Sequence, residues 1–245
     1  MSPEDFRLIA PSRYGYLGTP LPPGPSDPAT QADAYASLLD SLKVSEPVVV
    51  MGVSAGALSA MQFALRHPRR VKGLILLVPA SWLMTGAQEE THRQKIGGVG
   101  VISSYLLHSD FLCWLGIRAA RRKMASFIGV PENLQASLTE EDARNISEIL
   151  ETLLPVSKRA EGLANEDKTF AEIKPYPVER IKAPTLIIDA EDVVTFPGSE
   201  FLAAHIPNAQ LLRFKRGGHL LVGHGSEVRE AIDEYMRQRR GALGN

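Results

Sequence analysis

A serine stands between two glycines in the stretch Gly52-Val53-Ser54-Ala55-Gly56. The stretch follows the apolar run Pro47 to Met51, which is typical of a buried strand, and it precedes a helical pattern. At a tight turn from strand to helix, a serine takes a strained backbone conformation that exposes its Oγ at the carboxyl end of the sheet. The pattern therefore favours Ser54 as a nucleophile. The alternative is an N-cap serine in an ordinary glycine-rich turn.

A nucleophilic serine needs a base, and His219 is the first choice among six histidines. It stands in Arg216-Gly-Gly-His-Leu, directly after a predicted strand that ends at Phe214. A loop in this place can deliver an imidazole to the carboxyl edge of a parallel sheet. His224 is the second choice. The other four are expected to be structural or exposed: His67, His92, His108 and His205.

The third member of such a triad is a carboxylate on a loop after a strand, between the serine and the histidine in chain order. Asp192, in Asp189-Ala-Glu-Asp-Val, is the best candidate. Asp189 belongs to the end of the preceding strand and stays open as the alternative. The carboxylate would fix the imidazole tautomer and stabilise the imidazolium.

Strands alternate with helices on both sides of a long helical stretch. Short apolar runs predict strands, and apolar spacing of three and four residues predicts helices. The strands are predicted at 7–10, 47–51, 71–78, 183–189 and 210–214, and the helices at 30–42, 57–67, 198–205 and 227–240. This order indicates an α/β fold with a mostly parallel sheet at 1–81 and 178–245, and a helical cap inserted at 82–177.

Composition argues against several classes of partner. The chain has 245 residues, 44% of them hydrophobic, and a formal net charge of −1. No overall basic surface points to nucleic acid or to an anionic membrane. The most apolar long window, Ile96 to Ala120, contains charged residues, so it predicts buried helices and no membrane span. The oligomeric state is not indicated.

The single cysteine and the absence of metal-binding and nucleotide-binding motifs restrict the possible chemistry further. Cys113 is the only cysteine, so we expect a buried, inert thiol. This fits a cytoplasmic protein, as does an N-terminus without the order of a secretory signal. The sequence contains no H-E-x-x-H, no cysteine pair and no G-x-x-x-x-G-K, so neither a metal nor another cofactor is expected.

Taken together, the chain resembles the α/β-hydrolase fold superfamily, in particular the fold-1 type of serine hydrolase with a helical cap. The resemblance runs from residue 6 nearly to the C-terminus. It rests on five stretches: Ala10 to Gly18, Gly52 to Gly56, Phe63 to Pro68, Arg180 to Thr185 and Gly217 to His219.

This resemblance implies a reaction and a set of site residues. The implied activity is hydrolysis of an ester or related acyl bond in a small, partly apolar substrate. Ser54 would be the nucleophile, His219 the base, a residue of the 189–192 loop the acid, and the Ala55 N–H an oxyanion donor. An apolar pocket is expected from three cap residues, for which ordinary packing is the alternative: Trp82, Phe111 and Trp114.

Two departures from the family pattern affect this expectation. The acid loop is short, and the strands and His-Gly type loop that usually precede residue 7 are absent. One oxyanion donor would then be missing, which costs about a hundred- to thousandfold in rate. Either the chain is a fragment of a longer hydrolase, or the strands at 7–10 and 47–51 pair directly.

Other functions on the same fold therefore remain open. A catalytically weak or inactive homologue could bind a ligand or partner through the same pocket. A carbon–carbon bond hydrolase or a cofactor-free lyase could share the scaffold, because fold alone does not decide chemistry.

Overall fold

The computed structural model describes residues 6–84 and 109–241. Its strands, in chain order, are β1 (Val48–Val53), β2 (Val71–Leu77), β3 (Thr185–Ala190) and β4 (Ala209–Phe214). Its helices are α1 (Pro28–Ser41), α2 (Gly56–Arg66), α3 (Asp110–Ala119), α4 (Arg121–Phe127), α5 (Glu140–Thr152), α6 (Ala160–Glu172), α7 (Phe196–His205) and α8 (Gly225–Gly241).

The four strands form one parallel sheet in the order β1-β2-β3-β4. All four carboxyl ends therefore lie along the same edge. The two inner strands are the most apolar and the most buried, and Ile75, Ile187 and Ile188 are fully enclosed. This is the pattern of a parallel sheet that is covered on both faces.

Helices cover the two faces of the sheet. On one face α1, α2 and α7 pack against β-strand side chains such as Leu74 and Leu76. On the other face α8 packs against Ile75 and Ile188. The architecture is three-layered, with the sheet in the middle, and it confirms the predicted α/β class.

Local signals account for where two helices begin. The Asp27 side chain accepts a hydrogen bond from the Thr30 N–H (2.8 Å), and Pro28 takes the first helical position of α1. At the start of α5, Thr139 and Asp142 form a reciprocal capping box. Both arrangements satisfy amide groups that a helix leaves without partners at its amino end.

The regular elements that the structure describes between β2 and β3 are all helices. Helices α3, α4 and α5 enclose their own apolar cluster, which includes Cys113, Val130 and Leu150. Burial raises the pKa of the Cys113 thiol, in agreement with the expected inert role. The predicted division into a core and a cap at residues 82 and 177 stays a prediction.

One predicted strand is wrong. Residues 7–10 have no strand conformation, and Leu8 is 88% exposed. The direct pairing of residues 7–10 with β1, one of the two alternatives left open, is not found, because in residues 6–84 and 109–241 β1 pairs with β2 alone. A short apolar run becomes a strand only where a neighbouring strand satisfies its backbone groups.

The other predicted strands and helices are confirmed, with boundaries that shift by a few residues. No helix in the described part of the chain is long and apolar enough to cross a membrane. Most of the apolar window Ile96 to Ala120 lies outside the described residues.

The two glycines of the turn from β1 into α2 allow a test of how closely the helix approaches the strand. A Cβ at Gly52 would lie 2.7 Å from the Ala57 Cα and 2.7 Å from the Ala60 Cβ, whereas a Cβ at Gly56 would meet nothing within 4 Å. We expect Gly52→Ala to lower the free energy of unfolding by about 1–3 kcal/mol through overpacking. Gly56→Ala should leave it unchanged or slightly higher, because alanine favours helix.

Urea unfolding of the two variants beside the wild-type protein measures this difference. Equal stability of the two variants would contradict the close approach of α2 to β1.

Candidate active site

Ser54 occupies the turn between β1 and α2. Its φ of 50° lies in the left-handed region, which non-glycine residues rarely adopt. The Ser54 N–H donates to the Leu77 carbonyl (3.0 Å), and its carbonyl accepts from the Ala80 N–H (3.1 Å). These two bonds fix the turn against the end of β2 and hold a conformation that costs of order 1–3 kcal/mol.

The N-cap alternative for Ser54 is not supported. The residue at the N-cap of α2 is Ala55, and no side chain caps this helix. At the start of α2 the Ala57 N–H donates to the Ser54 carbonyl (3.0 Å) and the Leu58 N–H to the Ala55 carbonyl (3.3 Å), and the helix dipole adds partial positive charge there. Negative charge that develops beside Ser54 would be stabilised at this place.

His219 lies on the loop between β4 and α8. Its N–H donates to the Gly129 carbonyl (2.9 Å), which comes from the junction of α4 and α5. Burial of the imidazole lowers the pKa of His219 below its usual value of about 6.5. The ring is therefore neutral at pH 7, which is the form that can accept a proton.

Asp192 lies on the loop between β3 and α7 and faces the histidine loop. Its carboxylate accepts from the Gly217 N–H (3.3 Å) and the Gly218 N–H (3.1 Å). No hydrogen bond joins the Asp192 carboxylate to the His219 imidazole, and none joins that ring to Ser54 Oγ. Catalytic hydrogen bonds are often long without substrate and tighten when it binds.

Asp189 is enclosed at the end of β3 and has no exposed surface. Its carboxylate accepts from Thr195 Oγ1 (2.9 Å), Ser199 Oγ (2.6 Å) and the Ala190 N–H (2.8 Å). Burial raises the pKa of Asp189 despite these bonds. Its oxygens are occupied by the start of α7, so the geometry favours Asp192 as the carboxylate that serves the histidine loop.

The remaining histidines in the described ranges have structural contacts. Both ring nitrogens of His224 are engaged, by the Arg216 carbonyl (2.9 Å) and Glu227 (3.4 Å), and its ring stacks on Phe214. His67 contacts Asp33, and His205 contacts the Phe201 carbonyl. His92 and His108 lie outside the described residues.

The three aromatic residues expected to line an apolar pocket lie in different surroundings. Trp82 is 6% exposed and packs against Tyr176 and Phe201 in the core. Phe111 and Trp114 stack on each other on α3 and are 65% and 44% exposed. Core packing accounts for the position of Trp82, and substrate contact by all three stays a prediction.

A small cavity of ≈ 40 Å³ lies beside Ala55. Its wall includes Arg13 and Tyr16, which both contact the Glu166 carboxylate on α6. The N-terminal loop also approaches α6 closely, since the Gly162 N–H donates to the carbonyl of Gly15 (2.9 Å). The wall of the cavity next to the turn therefore mixes polar and apolar groups.

The structure also adds glycines that the sequence reasoning missed. A Cβ at Gly129 would lie 2.4 Å from the His219 Cβ, and a Cβ at Gly218 would lie 2.4 Å from Pro131 Cδ. Gly129 lies within the predicted helical stretch and precedes Val130-Pro131, which signals a helix end but not a contact with a distant histidine. Within residues 6–84 and 109–241 no cluster of side chains could hold a metal ion.

The fold and the Ser54 turn define a parallel α/β protein with a strand–turn–helix elbow. A family model described as the alpha/beta hydrolase family matches residues 2–231. The chain belongs to this family.

Two curated relatives and one solved structure illustrate the similarity. The chain is 28% identical to the "Putative carbamate hydrolase RutD" of Yersinia enterocolitica over 232 residues, 91% of this chain and 75% of that protein. It is 24% identical to the pimeloyl-(acyl-carrier protein) methyl ester esterase of Aromatoleum aromaticum, with 96% and 89% covered. An alpha/beta hydrolase fold protein from Nakamurella multipartita has a TM-score of 0.67, 27% identity, and 91% and 79% covered. Family and relatives support a hydrolase function.

The burial of His219 predicts an acid titration. Because the imidazole has a lowered pKa in the folded state, its NMR titration should have its midpoint below about 6.5. The unfolded chain then takes up this proton first, so folding stability should fall as the pH drops below about 6.5. His219→Gln assigns the resonance and should remove this part of the pH dependence. A midpoint at or above 6.5 would contradict the burial.

Proposed function

We propose that this protein is a serine hydrolase that cleaves an ester or related acyl bond of a small, partly apolar substrate. The left-handed backbone of Ser54 at the turn from β1 into α2 is the observation that carries the proposal. A serine is held in such a conformation only where the surrounding structure forces it, and such strain is concentrated at functional sites.

In the proposed reaction, Ser54 Oγ attacks the carbonyl carbon of the substrate while His219 accepts the hydroxyl proton. The carbonyl electrons move onto oxygen, and the Ala55 N–H donates to that oxyanion. Collapse of the tetrahedral intermediate releases the alcohol, which takes the proton from His219. Water then attacks the acyl-enzyme in the same way and restores Ser54.

Asp192 is the proposed acid of the triad. Its charge lies next to the two amides that precede His219, so it orders the loop that presents the base. A carboxylate in this place would also stabilise the imidazolium that forms during the reaction. Asp189 is the less suitable acid because three donors already occupy its oxygens.

The chemical class of the substrate is proposed from the relatives and the cavity. The printed names of the two curated relatives refer to a carbamate hydrolase and a methyl ester esterase. Both bonds present a carbonyl with a leaving group, the chemistry that an activated serine performs. The small size of the cavity beside Ala55 favours a compact acyl group over a long aliphatic one.

A second candidate function is a catalytically weak or inactive homologue that binds a ligand or partner. The observation that favours it is the absence of a hydrogen bond between the described side chains of Asp192 and His219. Without that bond the imidazole tautomer is not fixed by the carboxylate.

Covalent labelling with a fluorophosphonate separates the two functions. We expect one adduct on the wild-type chain by intact mass, and no adduct on Ser54→Ala or His219→Ala, since an activated serine is required. Circular dichroism establishes that the variants are folded. A folded wild-type protein that gains no adduct would overturn the hydrolase and support the binding protein.

The role of Asp192 has a matched control in its exposed neighbour Glu191, which ion-pairs with Arg213. We expect Asp192→Asn to lower kcat/KM for a small ester by about 10²–10⁴-fold, because the base loses its charged support. Glu191→Gln should stay within about twofold of the wild type, because surface ion pairs contribute little. Steady-state kinetics and melting temperatures measure both variants. Equal rates in the two variants would reassign the acid.

A further inference from the structure

The loop that carries His219 is held from two sides. On one side the Asp192 carboxylate accepts hydrogen bonds from the Gly217 and Gly218 amides. On the other side lies the segment Gly129-Val130-Pro131, at the junction of α4 and α5. The helical stretch between β2 and β3 is thus in direct contact with the residue proposed as the base.

The contact between Gly129 and His219 is unusually close. The Gly129 carbonyl accepts the His219 N–H at 2.9 Å. Gly129 has a φ of 89°, and a Cβ built on it would lie 2.4 Å from the His219 Cβ, a separation that real Cβ atoms essentially never show. Any side chain at position 129 must therefore displace the backbone or the Cβ of His219.

Neighbouring contacts make this junction rigid. A Cβ on Gly218 would lie 2.4 Å from Pro131 Cδ and 2.7 Å from the Gly129 carbonyl oxygen, so the two chain segments touch through bare backbone. Val130 is fully buried, and Leu220 and Val222 of the histidine loop pack against its cluster. Residues on both sides of His219 are therefore fixed by the same segment.

A local explanation for Gly129 exists, and it accounts for only part of the geometry. The Gly129 N–H donates to the Ser126 carbonyl (3.0 Å) and the Val130 N–H to the Ala125 carbonyl (3.0 Å). This is the Schellman arrangement at the end of a helix, which favours glycine and then asparagine at a positive φ. It explains the backbone conformation, but it does not require His219 to fill the space beside the Gly129 Cα.

We propose that Gly129 is a positioning residue for the base: its carbonyl and its bare Cα set the place of His219. The helical stretch between β2 and β3 then affects the catalytic rate through His219, independently of any contact that this stretch makes with substrate. This inference rests on the proposed function, since it assigns the part that Gly129 has in the same site.

The test replaces Gly129 by asparagine and uses Gly223 as the matched control. Asparagine tolerates positive φ and suits the helix end, so Gly129→Asn retains the Schellman turn but adds the Cβ against His219. Gly223 has a similar φ of 83°, and a Cβ there meets nothing within 4 Å. Gly223→Asn therefore introduces comparable backbone strain on the loop that carries His219, but it places no new atom against His219.

We expect Gly129→Asn to lower kcat and the rate of fluorophosphonate labelling by about 10- to 100-fold, with KM nearly unchanged, because a misplaced base slows only the chemical step. Gly223→Asn should stay within about twofold of the wild type in both rates. Equal rates in the two variants, or a change confined to KM, would overturn the proposal.

A double variant separates positioning from general damage. When His219 is already alanine, Gly129→Asn should cause no further loss of the residual rate, because its effect passes through the missing imidazole. A loss of the same size in both backgrounds would show a general structural role and would overturn the proposal.

Two measurements test the contact without activity, and so separate this inference from the proposed function. In the wild type, hydrogen exchange should find the His219 amide protected, since it donates to the Gly129 carbonyl. In Gly129→Asn the imidazole pKa should rise toward about 6.5 as the ring leaves its buried place, while Gly223→Asn should leave that pKa unchanged. An unprotected amide, or an unchanged pKa in Gly129→Asn, overturns the positioning role even if the wild type forms an adduct. If the folded wild-type protein forms no fluorophosphonate adduct, that result overturns only the proposed hydrolase function.

Discussion

The close approach of α2 to β1 at Gly52 is the constraint on which the rest of the site depends. With no space for a side chain there, the chain turns directly from strand into helix, and Ser54 is left with a φ of 50°. Three small residues make this approach possible, because Ala57, Ala60 and Ala64 are nearly or fully buried on the sheet side of α2. The packing of this helix thus stabilises a conformation that would be unfavourable in an isolated peptide.

The order of the sheet then decides what the other loops must do. Ser54 follows an outer strand, and His219 follows the outer strand at the opposite end of the same parallel sheet. Neighbouring strands lie about 4.8 Å apart, so the axes of β1 and β4 are about 14 Å apart. A loop that brings a base toward Ser54 must cross the ends of two strands, and such a loop needs support along its length. The Asp192 carboxylate on one side and the Gly129 carbonyl on the other provide it.

The sequence predicted the parts of this arrangement that local pattern encodes. The Ser54 turn and the strand before His219 are short-range features, marked by glycines next to apolar runs, and the structure has them where they were expected. The strand at 7–10 failed for the opposite reason. A pair of apolar residues there resembles a strand, but whether it becomes one depends on a partner elsewhere, and Leu8 is 88% exposed. The contact of Gly129 with His219 could not be predicted from the sequence either. It joins segments far apart in the chain, and it depends on a glycine backbone, which adds nothing to the hydrophobic pattern.

The two aspartates of the acid loop illustrate how environment divides roles between identical side chains. Asp189 is fully enclosed, and its carboxylate is used to hold Thr195 and Ser199 at the start of α7. Losing it would leave several buried donors without an acceptor, each at a cost of about 1–3 kcal/mol. Asp192 is exposed, and its carboxylate accepts from two backbone amides of the histidine loop, so it supports that loop and not the start of α7. The more buried carboxylate is therefore the structural one, and it anchors the loop that carries the more accessible one.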